Sequence, residues 1–453
     1  MRPVAARGAD RAARRRGGAL LSIGELERAL ARLVALDDGE RSVVSAFALS
    51  VQGLPAEHRR TLALLGLHPG TDVGVPAVGA LTGHDPAAVG ELVRRLDHTN
   101  LVTCLPENRV RLHDLVRQYL IEHLLPEVAL TDQDTALLNL LTHYVDRVRS
   151  SDELIAPHRY HPDELGGGSG QFATREEAMG WLDTEWQALT SLCGTAAARF
   201  PDLCWRLAYY LRDYFFLVKL WDPWITSHEQ VLAAVRTSGD RYAEAITLNN
   251  LGIAHADRGD LPLARQCYEA ALEAFRELDD RHGAVSARSN LAWTDLYLGA
   301  PEAAVRGLGE ALQEYRSSGE HRNAAITLRG IALAEVELGR TDSALAHLGS
   351  ALDVFLDLGL PLDVAMTLNG KGWVCFRAGR HAEAERHYLA AVASSEACGS
   401  GYEAARARLG LGNVAAAAGD RERARELWRQ ADAFEGTLKP LMVGEARARA
   451  AAD

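Results

Sequence analysis

The chain has 453 residues, enough for roughly two to four domains with cores of their own, and 47% of them are apolar but only 6% aromatic. Its formal charge of −12 excludes a chain that binds nucleic acid through bulk electrostatics. Alanine, leucine and arginine are abundant and good helix formers, so the expected class is all-α.

No apolar run approaches the roughly eighteen residues a membrane span needs, and GGALLSIG near the start is too short and interrupted for a signal-peptide core. The six cysteines (Cys104, Cys193, Cys204, Cys267, Cys375, Cys398) form no CxxC and no framework of spacings. Reduced thiols in a cytoplasmic protein without membrane partners are expected. Residues 1–20 hold the one dense basic run, Arg7 to Arg16. Such a run can touch phosphates or an acidic surface, but a disordered leader or misassigned start is the preferred reading.

Residues 21–53 (from LERALARLVALDDGE) have helical periodicity. From Leu54 a compact set of elements is expected over 54–130. A helix falls around Glu57–Leu65 and a second around Val75–Leu81. A third starts at Asp85, a good N-cap with Pro86 at the first helical position, and runs to about Asp97. LVTCL and RVRLH then make two short strands around the turn PEN, and a last helix begins near Asp114. Three helices with a two-stranded wing are a winged-helix pattern. If it read DNA, the third helix would offer Arg94 and Arg95, but it is otherwise small, apolar or acidic. DNA binding is therefore the alternative, and nucleic acid is not expected as a partner of the chain by itself.

Residues 131–175 are expected to be a helix and a linker. HRYH (His158 to His161) is a metal fragment without companions and runs into DELGGGSG, which has linker composition. No metal site is expected. Residues 176–240 begin with EEAMGWLDTEWQALTSL. They continue into CWRLAYYLRDYFFLVKLWDPWITSHEQVLAAV, where Lys219 and Trp224 stand at positions that hold glycine and alanine farther on.

Those later positions are strict. Gly259, Gly299, Gly339, Gly379 and Gly419 recur 40 residues apart. Seven before each stands a small residue (Gly252, Ala292, Ala332, Gly372, Gly412), and five after each stands alanine. Four further come Tyr268, Leu308, Leu348, Tyr388 and Trp428. Small residues let two antiparallel helices approach closely, the large one fills the groove beside them, and the glycine ends the first helix in a left-handed conformation. These are signature positions of the tetratricopeptide repeat, which the chain resembles over 241–440 in five copies. The preceding 176–240 resembles a bridging helix and a degenerate copy, and 441–453 is a tail. The resemblance implies a right-handed α-superhelix whose inward offsets are Asn249, Trp293, Tyr297, Arg329, Asn369, Trp373, Phe376 and Arg377. Amides, aromatics and arginines suit a groove that holds a protein or peptide segment. The two tryptophans can instead pack between repeats.

RLHDLV (Arg111 to Val116), the winged-helix pattern and the repeats, in that order, resemble SARP-type regulators of the NB-ARC branch of STAND signalling ATPases. On that resemblance 21–53 is an ARC-like helical remnant, His113 would contact the β-phosphate of ADP, and Asp114 would support it or cap the helix. Without the resemblance, Asp114 is simply an N-cap and His113 a buried strand-end histidine. No GxxxxGK[ST] loop occurs, and the one GK, in NGKGW, lies inside a repeat helix. LVALDD (Leu33 to Asp38) mimics a Walker B strand but follows a helix-period run. The expectation is a non-enzymatic regulator lacking the ATPase core, with no cofactor. ADP sensing is a further alternative, and homo-oligomerisation is open.

Overall fold

The computed structural model describes residues 47–99, 101–161, 170–434 and 444–452. The basic leader, LVALDD, most of the ARC-like stretch and residues 162–169 lie outside the described residues. The chain forms two compact units that divide between residues 143 and 144.

In the first unit, α1 (Ala56–Leu65), α2 (Val75–Thr82) and α3 (Pro86–Asp97) occupy the stretches indicated by periodicity and capping. Asp85 caps α3 by accepting from the amides of Ala87 and Ala88. The sheet has three strands rather than two. β1 (Asp72–Gly74), which the sequence reading did not anticipate, pairs antiparallel with β3 (Arg109–Arg111), and β2 (Thr103–Leu105) pairs with the other edge of β3. Arg109 holds Asp72 across that extra ladder at 2.6 Å. Glu107 and Asn108 take left-handed backbone at the turn, which brings β2 back onto β3. The core is apolar, with Leu62, Leu65, Val78, Leu81, Leu96 and Val110 excluded from solvent. α4 (Asp114–Tyr119) follows and runs through a π turn, Leu120–Leu124, into a short 3-10 turn, Leu125–Glu127. The unit boundary falls inside the next helix, α5 (Leu130–Ile155).

The second unit is helical. α6 (Arg175–Thr195) leads into α7 (Pro201–Val218) and α8 (Trp221–Ser238), the degenerate copy. Five regular pairs follow: α9 (Arg241–Arg258) with α10 (Leu261–Glu277), α11 (Arg281–Tyr297) with α12 (Pro301–Ser317), and α13 (His321–Glu337) with α14 (Thr341–Asp357). Then come α15 (Pro361–Arg377) with α16 (His381–Cys398), and α17 (Gly401–Ala417) with α18 (Arg421–Asp432). A last short helix is α19 (Gly444–Ala452).

The five repeat glycines all have positive φ, from 71° at Gly379 to 95° at Gly259, and so end the first helix of each pair as expected. A second set, Asp279, Gly319, Gly359 and Gly399, does the same between pairs. The steric logic is equally direct. A Cβ on Gly252 would lie 2.5 Å from the Tyr268 ring, one on Gly372 2.7 Å from Tyr388, and one on Gly412 2.4 Å from Trp428. In the degenerate copy Lys219 takes the left-handed position with φ 62°. Its side chain offsets that cost through other contacts. The buried ammonium sits 2.9 Å from both carboxylate oxygens of Asp257 and over the rings of Phe216 and Tyr402. Tyr402 belongs to α17, so Lys219 clasps the first copy to the last and the array closes around its concave face.

A cavity inside the repeat array

The first helices of successive pairs pack on one another and turn their inner faces to a common space. That space is a cavity of about 470 Å³, within the size range of ligand pockets. Aromatic walls come from Trp224, Tyr268, Trp293, Tyr297 and Tyr315, and polar groups from Arg212, Asp213, Asn290, Arg322, Asn323, Arg329 and Asp363. Burial pushes the Tyr297 hydroxyl up to about 12, so it stays a neutral donor and acceptor.

The charges are arranged in two groups. In one, Arg159 donates to Asp152 (3.0 Å), to Asp213 (3.2 Å) and to the Tyr209 carbonyl (2.9 Å), with its guanidinium over the Tyr209 ring. Arg212 donates to Asp213 from two nitrogens. Burial pushes the Asp152 carboxyl up. Asp213 feels the same upward push, but Arg212 and Arg159 outweigh it and hold Asp213 well below the usual range. This group is balanced, with two arginines and two aspartates. In the other, one carboxylate serves two guanidiniums: Asp363 accepts from Arg322 (3.2 and 3.3 Å) and from Arg329 (3.3 Å). Arg322 also feels the Asp213 carboxylate of the first group, so the two groups adjoin, and across them four arginines stand against three aspartates, with the two-to-one excess at Arg322, Arg329 and Asp363.

Residues 156–161 are packed rather than extended as a linker, which corrects the reading of HRYH. Arg159 is almost fully buried, His158 Nε2 lies 3.1 Å from the Leu358 carbonyl, and Tyr160 stacks on His282 with 3.5 Å between centroids. Arg175, at the start of α6, donates to the Cys398 carbonyl at 2.9 Å. Ala156, Pro157 and Arg175 border the cavity, so this strap crosses its edge. His161 has no metal companions; burial, then Arg159, lower its pKa to about 4. Among the described residues no cluster could hold a metal ion.

The eight expected groove residues divide into three sets. Trp293, Tyr297 and Arg329 line the cavity. Asn249 lies behind it, accepting from Asn290 at 3.0 Å and donating to Ser286 at 3.4 Å. Asn369 is fully buried and donates to the Glu403 carboxylate (2.8 Å) and carbonyl (3.1 Å), with its own oxygen unpartnered. Trp373, Phe376 and Arg377 form a separate cluster. Trp373 and Phe376 stack, and the exposed Arg377 pairs with Glu337 at 3.1 Å. Trp373 is covered by Gly444 of α19, where an added Cβ would lie 2.6 Å from the indole. Arg322, Asp363, Asn290 and the Arg212–Asp213 pair were missed. The signal for Arg322 was available, since it precedes Arg329 by seven residues, two turns along one face.

In the first unit, His113 is exposed, not a buried strand end. It is His113, not Asp114, that stands at the N-cap of α4, its Nδ1 accepting from the Leu115 amide at 3.4 Å; Asp114 is the first helical residue, where an acidic side chain suits the helix dipole. Arg94 and Arg95 are exposed on α3, and both pair with Glu91 of the same helix, at 2.8 and 2.9 Å.

The tetratricopeptide repeat family matches residues 225–277, 243–317 and 363–431. The regulatory protein AfsR of Streptomyces griseus is 32% identical over 176 residues, and AfsR of Streptomyces coelicolor 30% identical over 190. These alignments cover 37% and 38% of this chain but only 18% and 19% of those proteins. Among solved structures, a STAND protein with a tetratricopeptide repeat sensor from Pyrococcus horikoshii is 14% identical with a TM-score of 0.44, over 90% of this chain and 62% of that one. A Rap protein complexed with competence and sporulation factor is 16% identical with a TM-score of 0.47, over 67% and 78% of the two chains. NprR in complex with its cognate peptide NprX is 15% identical with a TM-score of 0.44, over 60% and 81%. The chain thus carries a tetratricopeptide repeat array and is similar, over part of its length, to AfsR regulatory proteins.

Proposed function

We propose that this chain is a non-enzymatic regulatory protein that takes a short, anionic segment of a partner protein or peptide into the cavity of its repeat array, in the service of bacterial transcriptional or signalling control. The observation that carries this reading is the Arg322–Arg329–Asp363 arrangement. Two guanidiniums share one carboxylate beside aromatic walls, which leaves donors and a positive charge for an incoming carboxylate. Tyr297 and Asn290 supply neutral hydrogen-bonding groups on the same lining. The regulatory context rests on the similarity to AfsR. In the same reading the winged-helix unit is a docking or ancestral module. His113 is a mark of SARP-type, NB-ARC ancestry that spends its ring nitrogen on capping α4.

The test is a random-peptide array probed with the full chain. Acidic peptides should be selected, and Trp293→Ala or Arg322→Met should weaken their binding about tenfold or more, the loss of one aromatic or arginine anchor. Selection of basic or neutral peptides, or affinities indifferent to both substitutions in folded variants, would sink the proposal.

A further inference from the structure

At the far end of the array the chain's own C-terminal helix is seated in a built site. Glu445 is fully buried and its carboxylate accepts from the Tyr388 hydroxyl at 3.0 Å and from Arg406 at 3.1 and 3.3 Å. The Glu445 carbonyl accepts from the Asn413 amide at 2.7 Å, and Asn413 is held in turn by the Trp428 indole N–H at 3.2 Å. Before it, Gly444 lies flat against Trp373, which no larger residue permits without movement. These contacts read a two-residue unit. Backbone is gripped by an amide, a carboxylate by a guanidinium and a phenol, and the absence of a side chain by an indole face.

The rest of the helix is held weakly. Ala446 packs against the last apolar cluster, and Arg449 pairs with Asp432 and lies over Trp428. Ala450, Ala451 and Ala452 are exposed. A nine-residue helix is not stable alone in water. Its order therefore depends on the Gly–Glu anchor, which places it at the low-stability end of the fold.

We propose that Trp373, Tyr388, Arg406 and Asn413 form a recognition site for a Gly-Glu segment, that residues 444–452 are its resident occupant, and that a partner segment of the same chemistry displaces them. This rests on the reading that the array takes outside segments, but it uses a different set of residues from the cavity, apart from Arg406, which borders both. The arrangement makes the C-terminal helix a competitor that sets the threshold for partner entry.

The probe is the synthetic peptide GEARARAAAD, residues 444–453, labelled at its C-terminus and titrated into full chains by fluorescence anisotropy. A tethered occupant competes at an effective concentration on the order of millimolar, so wild type should bind the probe at least about tenfold more weakly than chains whose occupant is released. Glu445→Gln releases it through the carboxylate, and Gly444→Val through the Trp373 contact. A probe carrying Gln in place of Glu445 should lose binding to both variants, and so should adding Asn413→Ala to either. Equal affinity for wild type and released chains, or no binding to released chains that keep the wild-type circular dichroism, would overturn the proposal. Failure of both variants to fold would overturn it too, by making the helix a permanent part of the core. Trp293→Ala leaves probe binding intact, so loss of array-peptide binding in that variant reports on the cavity alone.

Discussion

Replacing Asp363 with alanine gives a direct measure of the charge arrangement at the cavity. Asp363 is 5% exposed and lies in the first turn of α15, where it accepts three bonds from two arginines on α13. Removing it leaves Arg322 and Arg329 in a low-dielectric space without their shared hydrogen-bonded carboxylate, with Asp213 the remaining counter-charge that Arg322 feels. Deleting one partner of a buried pair costs about 3–5 kcal/mol, and the figure applies here because Arg329 is only 7% exposed and Arg322 is largely covered. The assay is urea denaturation followed by far-UV circular dichroism, with hydrogen exchange to confirm that α13 and α15 open first. Adding Arg329→Met to Asp363→Ala should recover much of the loss, since a methionine needs no counter-charge. The same Asp363→Ala chain should bind acidic array peptides more tightly, because the cavity becomes more positive. A destabilisation below about 1 kcal/mol, the level of an exposed pair, would refute the account of a shared buried carboxylate.

Further outcomes follow from other parts of the structure. His228 is buried, with its Nδ1 near the Trp224 carbonyl, and burial lowers its pKa to about 3. The folded state then binds fewer protons than the unfolded state below about pH 6.5, so stability is full above that value and falls as pH drops toward 3. His228→Gln should reduce the slope by up to about 1.4 kcal/mol per pH unit in a urea series, and an unchanged slope would contradict the assignment. Gly412→Ala should cost about 1–3 kcal/mol by forcing the Trp428 ring away, seen as a lower denaturation midpoint. Lys219→Gly keeps the left-handed turn but loses the clasp on Asp257 and Tyr402. It should expand the chain in small-angle scattering and quicken exchange in α17, whereas an unchanged profile would show the clasp to be idle. Duplex DNA at moderate salt should not shift on the full chain, and millimolar ADP should not raise its melting temperature; an ADP shift lost in His113→Ala would restore the nucleotide reading.

The repeat array was legible because its constraints are local. A helix pair must end in a left-handed residue, and close helices must pair a small residue with a large one, so Gly252 with Tyr268 or Gly412 with Trp428 leaves a mark at fixed spacing. Asp85 and the turn at Glu107–Asn108 were readable for the same reason. β1 was not, because three residues of DVG carry no alternation and become a strand only by pairing with β3. The inward offsets placed Trp293, Tyr297 and Arg329 on the cavity, but the register says nothing about what lies opposite.

Sequence alone determined the class and the pairing of helices, since each depends on residues within about one repeat. Tertiary structure decided how far the array curls. That depends on a small rotation summed over all the copies, and its result is read where Lys219 meets Tyr402 and where Arg175 meets Cys398. It also decided which inward residues remain free. Arg159 comes back onto Asp213 and Tyr160 onto His282, Glu445 comes back onto Arg406, and these returns join residues far apart in sequence. The ion pairs and steric fits that make such long-range contacts stable have no periodicity, so no spacing in the chain announces them.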